Sequence, residues 1–303
     1  LKPPRRLSLS FDQPLGSRFE RDSVRGYYID MSVKATAPRW PPPGFDPSEP
    51  HLYVVPAQFG LGAFERFLAS GEEQWLEAAL GTARYLAGVQ EREGPRAGGL
   101  VHTRPYPHTF PLDPPWLSGM AQGEGASLLV RLYLETGEER LAEAARLALR
   151  PLAIPVAEGG VAAALDGREL PEEYPTDPPS FVLNGAIFAL WGLYDVGTGL
   201  GDAEVSGAFE EGVDALAASI DRWDTGYWSR YDLYPHPMVN VASPAYHTLH
   251  IDQLEAMGRI APRPQLQAAL ERFRRYATSA PARARAFAAK AAFRLRVPRT
   301  GAP

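Results

Sequence analysis

The sequence predicts a mostly α-helical fold: an incomplete (α/α) toroid, or barrel, of helix hairpins behind a short N-terminal β or extended segment. Three observations predict it. Apolar residues recur at the helical period from about residue 54, and one helix–turn–helix segment repeats along the chain. The 30 prolines and 28 glycines gather in connections, notably 38–49, 94–115 and 171–179, leaving clean helical stretches between them.

Taken in order, residues 1–50 form the N-terminal segment. Arg25-Gly26-Tyr27-Tyr28-Ile29-Asp30-Met31-Ser32-Val33 reads as a short strand and Pro41-Pro42-Pro43-Gly44 as loop. Residues 51–279 form the helical domain. Phe59, Ala63, Phe64, Phe67 and Leu68 share one helical face, Ser70-Gly71 breaks that helix, and Trp75, Leu76, Ala79, Ala83, Leu86 and Val89 form the next. The stretch from Phe67 to Ala79 can be laid over Tyr133 to Ala145: a glycine ends one helix and two glutamates open the next, favourable at its positive end.

A weaker third copy runs through Leu193-Tyr194-Asp195-Val196-Gly197, and a fourth pair is expected across 247–260 and 264–278. The repeat exceeds common solenoid periods of about 34–47 residues. Two helices plus a long outer loop per unit therefore gather the loops at one rim, where function usually sits. Residues 280–303 form a basic tail with Arg283, Arg285, Lys290, Arg294, Arg296 and Arg299 among alanines, plus Phe287 and Phe293. It reads as a solvated or dimer-contacting helix, with weak contact to an anionic membrane surface as the alternative.

The net charge of −5 argues against a nucleic-acid partner, whose footprint is usually basic. With no cysteine, the chain has neither disulfide nor thiolate chemistry, which fits a reducing compartment. No apolar run reaches the ~18 residues of a membrane span, and no signal peptide is visible. The opening Leu1-Lys2-Pro3-Pro4-Arg5-Arg6 lacks a methionine and fits a fragment; a complete chain would be expected in the cytoplasm.

Four loop blocks carry the candidate chemistry. They are Trp116 to Glu124; Glu172-Glu173-Tyr174-Pro175-Thr176 running to Ser180-Phe181-Val182-Leu183-Asn184-Gly185, with Ser180 as the expected N-cap; Asp224 to Leu233; and Ser243 to His250. Aromatics with a few carboxylates fit a sugar cleft, the alternative being tyrosines that bury their rings and wet their hydroxyls. Trp116, Tyr106, His102 and His108 wall that cleft or simply pack. His247 and His250 lack a clear third ligand, so no metal is expected.

The blocks Trp116–Gly123, Glu172–Gly185, Tyr231-Asp232-Leu233 and Tyr246-His247-Thr248 with His250-Ile251 resemble the C-terminal helical domain of the D-glucuronyl C5-epimerases, in order and approximate spacing over residues 80–275. The resemblance implies an isomerase that converts D-glucuronate to L-iduronate within heparosan or heparan sulfate. It assigns catalysis to Glu173, Tyr174, Tyr231 and Tyr246. Arg104, Trp116, Gln122, Asn184, Arg230 and His247 are the substrate-binding candidates, with Arg104, Arg230 and His247 set to neutralise the substrate carboxylate.

Epimerisation removes a proton α to a carboxylate and returns one from the opposite face, which requires two acid/base groups and stabilisation of an enolate-like dianion. The carboxylate itself acidifies C5, so no cofactor is implied. The expected partner is an acidic polysaccharide, and a homodimer is consistent with the family. The sequence departs from the family in three places. Only about 50 residues precede the helices, Tyr234 replaces a basic residue three positions after Tyr231, and Pro244-Ala245 replaces Trp-Asp. A glycan other than heparosan is therefore an open expectation. Competing readings are a uronate lyase using the same tyrosines, a glycoside hydrolase pairing Glu173 with Glu124 or Asp232 at about 5–9.5 Å, and a non-catalytic glycan-binding domain.

Overall fold

The computed structural model describes residues 14–16, 19–20 and 22–299; residues 1–6, read as the start of a fragment, and the last four residues of the tail lie outside them. Among the described residues the chain is mostly helical. It forms α1 (Val54–Ser70), α2 (Glu73–Val89), α3 (Gly119–Thr136), α4 (Glu139–Leu149), α5 (Leu183–Leu200), α6 (Ala203–Ser219), α7 (Pro244–Ile260), α8 (Pro264–Thr278) and α9 (Ala280–Arg296). Two short antiparallel pairs complete it: β1 (Val101–His102) with β2 (Trp116–Leu117), and β3 (Ala162–Leu165) with β4 (Arg168–Pro171).

Consecutive helices pair as hairpins, α1 with α2, α3 with α4, α5 with α6 and α7 with α8, while α1, α3, α5 and α7 pack in a row and α9 packs on α8. Their sequences explain the division of labour. Every residue of α3 from Gly119 to Leu132 and of α5 from Leu183 to Gly197 is buried, as expected of helices enclosed on all sides. α4 instead buries one stripe, Leu141, Ala142, Ala144, Ala145, Ala148 and Leu149. The row closes tightly at its centre: a Cβ on Gly192 would lie 2.5 Å from the Gly123 Cα, so α3 and α5 meet backbone to backbone.

The first two hairpin turns are as the repeat predicts, with Gly71 and Gly137 left-handed at the helix ends. The third is displaced. α5 continues through Gly197 to Leu200 and ends on left-handed Gly201, because Gly197 is held helical where its Cα faces Ser206 of α6. The expected fourth pair is present as α7 and α8.

Two other local expectations are corrected. Arg25–Val33 is not a regular strand: Ile29 bridges Leu15, and Ser32–Lys34 form a 3₁₀ turn. Its residues face the helices instead of a neighbouring strand. Tyr28 stacks on Trp191 at 4.4 Å, and the Tyr27 N–H donates to Glu65 at 2.7 Å. Ser180 does not cap α5, which starts at Leu183 after Val182; its hydroxyl is turned back to Glu172 and the Tyr174 carbonyl.

Beneath this lies a buried ion pair. Arg131 on α3 meets Asp195 on α5 at 2.5 and 3.1 Å, and also donates to the carbonyls of Ser127 and Gly26. The Tyr28 hydroxyl donates to the same aspartate at 2.6 Å. One ion pair thus ties the N-terminal segment to the two central helices.

Candidate active site

Connectivity places the site. The long segments 90–118, 150–182 and 220–243 each run from an even-numbered helix to the start of the next odd-numbered one, so all three lie at the N-terminal end of α3, α5 and α7. The first is a hairpin loop whose base is fixed by the His102–Trp116 pairing. The second carries Glu173-Tyr174 directly after β4. The third is pinned where Arg230 bridges Val241. Tyr246 arrives from the first turn of α7, which Ser243 caps by accepting from the Tyr246 N–H.

At this end the side chains build one aromatic cluster, separate from the core between the helices. Tyr174 lies 4.8 Å from His108, 5.5 Å from Phe110, 5.9 Å from Tyr106 and 6.0 Å from Trp116. Tyr231 packs edge-on against Tyr246 at 4.8 Å and faces His108 at 6.1 Å. His108 therefore stands between the two groups of tyrosines. Beside them opens a cleft of about 350 Å³ whose wall includes Tyr53, Tyr85, His102, Arg104, Tyr106 and Trp116.

The carboxylates define the chemistry. Burial raises the Glu173 carboxyl to about 7, and the neighbouring Tyr174 hydroxyl offsets part of that rise. Glu172 is also raised to about 7 by burial, but it is locked as a structural acceptor of Ser180 N–H, Ser180 hydroxyl and Phe181 N–H. Glu124 is raised to about 8 by burial and accepts from Gln58 at 2.9 Å. The phenols of Tyr174, Tyr231 and Tyr246 are all pushed above their ordinary value, first by burial and then, for Tyr174 and Tyr246, by the Glu173 charge. The charge of Arg299 partly opposes this rise at Tyr246. The neighbouring Tyr231 hydroxyl offsets part of the rise at Tyr246.

Of the four residues assigned to catalysis, Tyr174, Tyr231 and Tyr246 lie within this cluster and Glu173 is buried beside it. The substrate-binding candidates divide. Trp116 is in the cluster, stacked on His102 at 4.0 Å with its indole N–H donated to the Arg104 carbonyl. Arg104 is exposed on the wall of the cleft. Asn184 lies beneath Glu173, its amide 3.5 Å from the carboxylate and its carbonyl oxygen buried without a partner. Gln122 lies elsewhere: fully buried, it accepts from Leu100 N–H at 3.1 Å and anchors β1 to α3.

His247 is also placed differently. It stacks on Trp228 at 3.7 Å, pairs with the Phe273 carbonyl through Nε2 and with the Ser229 hydroxyl through Nδ1, and is lowered to about 4 by burial. Neutral and turned inward, it cannot balance a substrate carboxylate. His250 shares the same Ser229 hydroxyl. Arg230 is half-buried, with Asp232 and Arg222 as the charges that act on it.

Phe110 and Asn240 were not singled out from sequence, and Lys290 was read only as part of the basic tail. Phe110 is fully buried against Tyr174. Asp232, Asn240 and Lys290 form a hydrogen-bonded run beside Tyr231, with 2.6 Å at each link. The only sequence signal for Lys290 was its spacing from Ala286 and Phe293, four and three residues away on one helical face.

Similarity to known proteins falls on these segments. The sequence profile of the D-glucuronyl C5-epimerase C-terminus matches residues 99–275, from the approach to β1 through most of α8. The chain is 33% identical over 181 residues to D-glucuronyl C5-epimerase of Caenorhabditis elegans, covering 55% of this chain and 29% of that protein. It is 30% identical over 138 residues to an uncharacterized protein of Methanocaldococcus jannaschii, covering 43% and 45%. It therefore spans less than half the length of either relative. The match takes in most of the first rim segment, all of the other two and the helices α3 to α7, so the chain belongs to the family of the D-glucuronyl C5-epimerase C-terminus.

Proposed function

We propose that this chain is a uronate C5-epimerase acting within an acidic polysaccharide of the heparosan type, on a row of hairpins forming part of an (α/α) toroid. One observation carries the reading: a buried carboxyl near neutrality, Glu173, interacts with Tyr174, whose aromatic cluster also holds a second phenol pair, Tyr231 and Tyr246.

The uronate ring enters past Tyr106 from the cleft and meets both groups beside His108, which stands between them. Tyr174 takes the C5 proton as its own phenolic proton passes to Glu173. No free phenolate is needed, which suits a tyrosine whose hydroxyl burial has made less acidic. The electron pair left at C5 spreads into the carboxylate. Tyr246, backed by Tyr231, then returns a proton from the other face, inverting C5; exchange with solvent removes the proton from Glu173 and restores the one lost from the Tyr231–Tyr246 pair. The donor on that second face favours epimerisation over elimination, because a lyase needs its acid at the 4-oxygen instead.

Glu173 must be ionised to accept a proton, so activity is expected to fall as pH drops through its raised value. The predicted acid limb of kcat/KM lies near pH 7 and belongs to the coupled Glu172–Glu173 pair. In Glu173→Gln that limb disappears along with most of the rate; a limb left in place assigns it to another group. Product analysis separates the classes. An epimerase yields iduronate in chains of unchanged length, a lyase gives unsaturated ends, and a hydrolase gives new reducing ends.

A further inference from the structure

α9 lies beyond the segment shared with the family, yet it forms a wall of the aromatic cluster. Ser279 caps it by accepting from the Ala282 N–H. Ala286 and Phe293 are buried, and Phe293 meets His236 edge-on at 5.0 Å. Lys290 sits between them on the same face. Its ammonium donates to the Asn240 side-chain carbonyl at 2.6 Å and stands 5.6 Å from the Tyr231 ring centre and 5.4 Å from that of Phe293. Asn240 in turn donates to Asp232 at 2.6 Å and accepts the Tyr231 backbone N–H at 2.8 Å.

An ammonium has three donors, and the neutral Asn240 amide uses one. The nearby carboxylate, Asp232, is reached only through that amide. Burial lowers the lysine to about 8, with the charges of Arg294 and Arg299 adding to the effect and Asp232 opposing it. The fold thus presents a partly desolvated cation with spare donors beside a tyrosine of the reacting cluster. Arg299, three residues past the end of α9, adds charge that acts on both His108 and Tyr246.

We infer that Lys290 binds the carboxylate of the substrate uronate beside Tyr231 and thereby selects uronates over neutral sugars. This rests on the epimerase reading of the site. An anion docked there is held next to the groups that move the C5 proton, and the same contact stabilises the charge that develops on the carboxylate. The last helix then completes the site and is more than a basic tail. A purely structural lysine, clamping α9 to Asn240, predicts a change in stability and no change in selectivity.

The test is binding by the full chain of a heparosan oligosaccharide and of the same oligosaccharide with its carboxyls reduced to alcohols. Wild type is expected to favour the acid form by about tenfold or more, the size of a hydrogen bond to a charged group. Lys290→Gln should erase that preference through the acid form alone, and Lys290→Arg should retain most of it. Lys290→Met, which keeps the packed stem, replaces the glutamine variant if that one unfolds. A preference unchanged without the ammonium, equal weakening of both probes, or no preference in wild type overturns the proposal. Deuterium exchange at C5 by wild type, run alongside, reports on the epimerase reading separately. Exchange with Lys290 irrelevant leaves the reading standing, whereas selectivity without exchange leaves the lysine standing.

Discussion

Tyr174→Phe is expected to cut exchange at C5 by about 10²–10⁴-fold, the usual contribution of a positioned acid/base group. The ring would remain in place, since its contacts with His108, Phe110, Tyr106 and Trp116 are all made by carbon edges and faces. Only the hydroxyl is lost, and with it the proposed proton path to Glu173. Substrate affinity should therefore change little, and the loss should appear in kcat. Tyr231→Phe probes the other face: because Tyr246 retains its own hydroxyl, the drop should be smaller. An unaltered rate in Tyr174→Phe, measured by solvent deuterium incorporation, would remove the central role given to this residue.

Arg131→Met is expected to destabilise the chain by about 3–5 kcal/mol, the cost of breaking a buried ion pair from one side. The guanidinium is 1% exposed and Asp195 is fully buried, so the remaining carboxylate would have no water to turn to. It would keep only the Tyr28 hydroxyl. The damage should reach the N-terminal segment, because Arg131 also holds the Gly26 carbonyl and lies over the Tyr27 ring at 5.0 Å. Replacing both partners, Arg131→Met with Asp195→Leu, should recover much of the loss by removing the stranded charge. Urea unfolding of the three variants distinguishes this from simple loss of packing, for which the double variant would be worse than either single one.

The helical architecture was legible because it depends on local patterns. Helical period, left-handed glycines and acidic first turns are properties of neighbouring residues, and the repeat from Phe67 to Ala79 over Tyr133 to Ala145 exposed them twice. The Gly197 turn was misplaced because α5 is apolar on every side, so nothing in its sequence marks where burial ends; Gly201 does so by its backbone alone. The strand expected at Arg25–Val33 failed for a related reason. Tyr27, Tyr28 and Ile29 are bulky and suited to a sheet, but their partners are helices α1, α3 and α5, far away in sequence.

At the site, the resemblance pointed to Glu173, Tyr174, Tyr231 and Tyr246, and the fold gathers them at one rim. What sequence could not supply was which polar groups face inward. His247 has the chemistry of a carboxylate binder, yet its two ring nitrogens are directed at Ser229 and Phe273. Lys290 looked like one charge among many in an arginine- and alanine-rich tail. Its role depends on α9 folding back over the cluster, a long-range event with no local signature. Tyr234, noted as the site of a missing basic residue, lies 5.3 Å from Phe110 in that same cluster, close to where α9 delivers its lysine.

The central claim is proton exchange at a uronate C5, and the most direct measurement is incubation with heparosan in deuterated water followed by NMR of the intact polysaccharide. Deuterium at C5 together with iduronate signals in chains of unchanged length is the predicted result. Absence of deuterium from C5 across heparosan and other uronate-containing polysaccharides would contradict the claim.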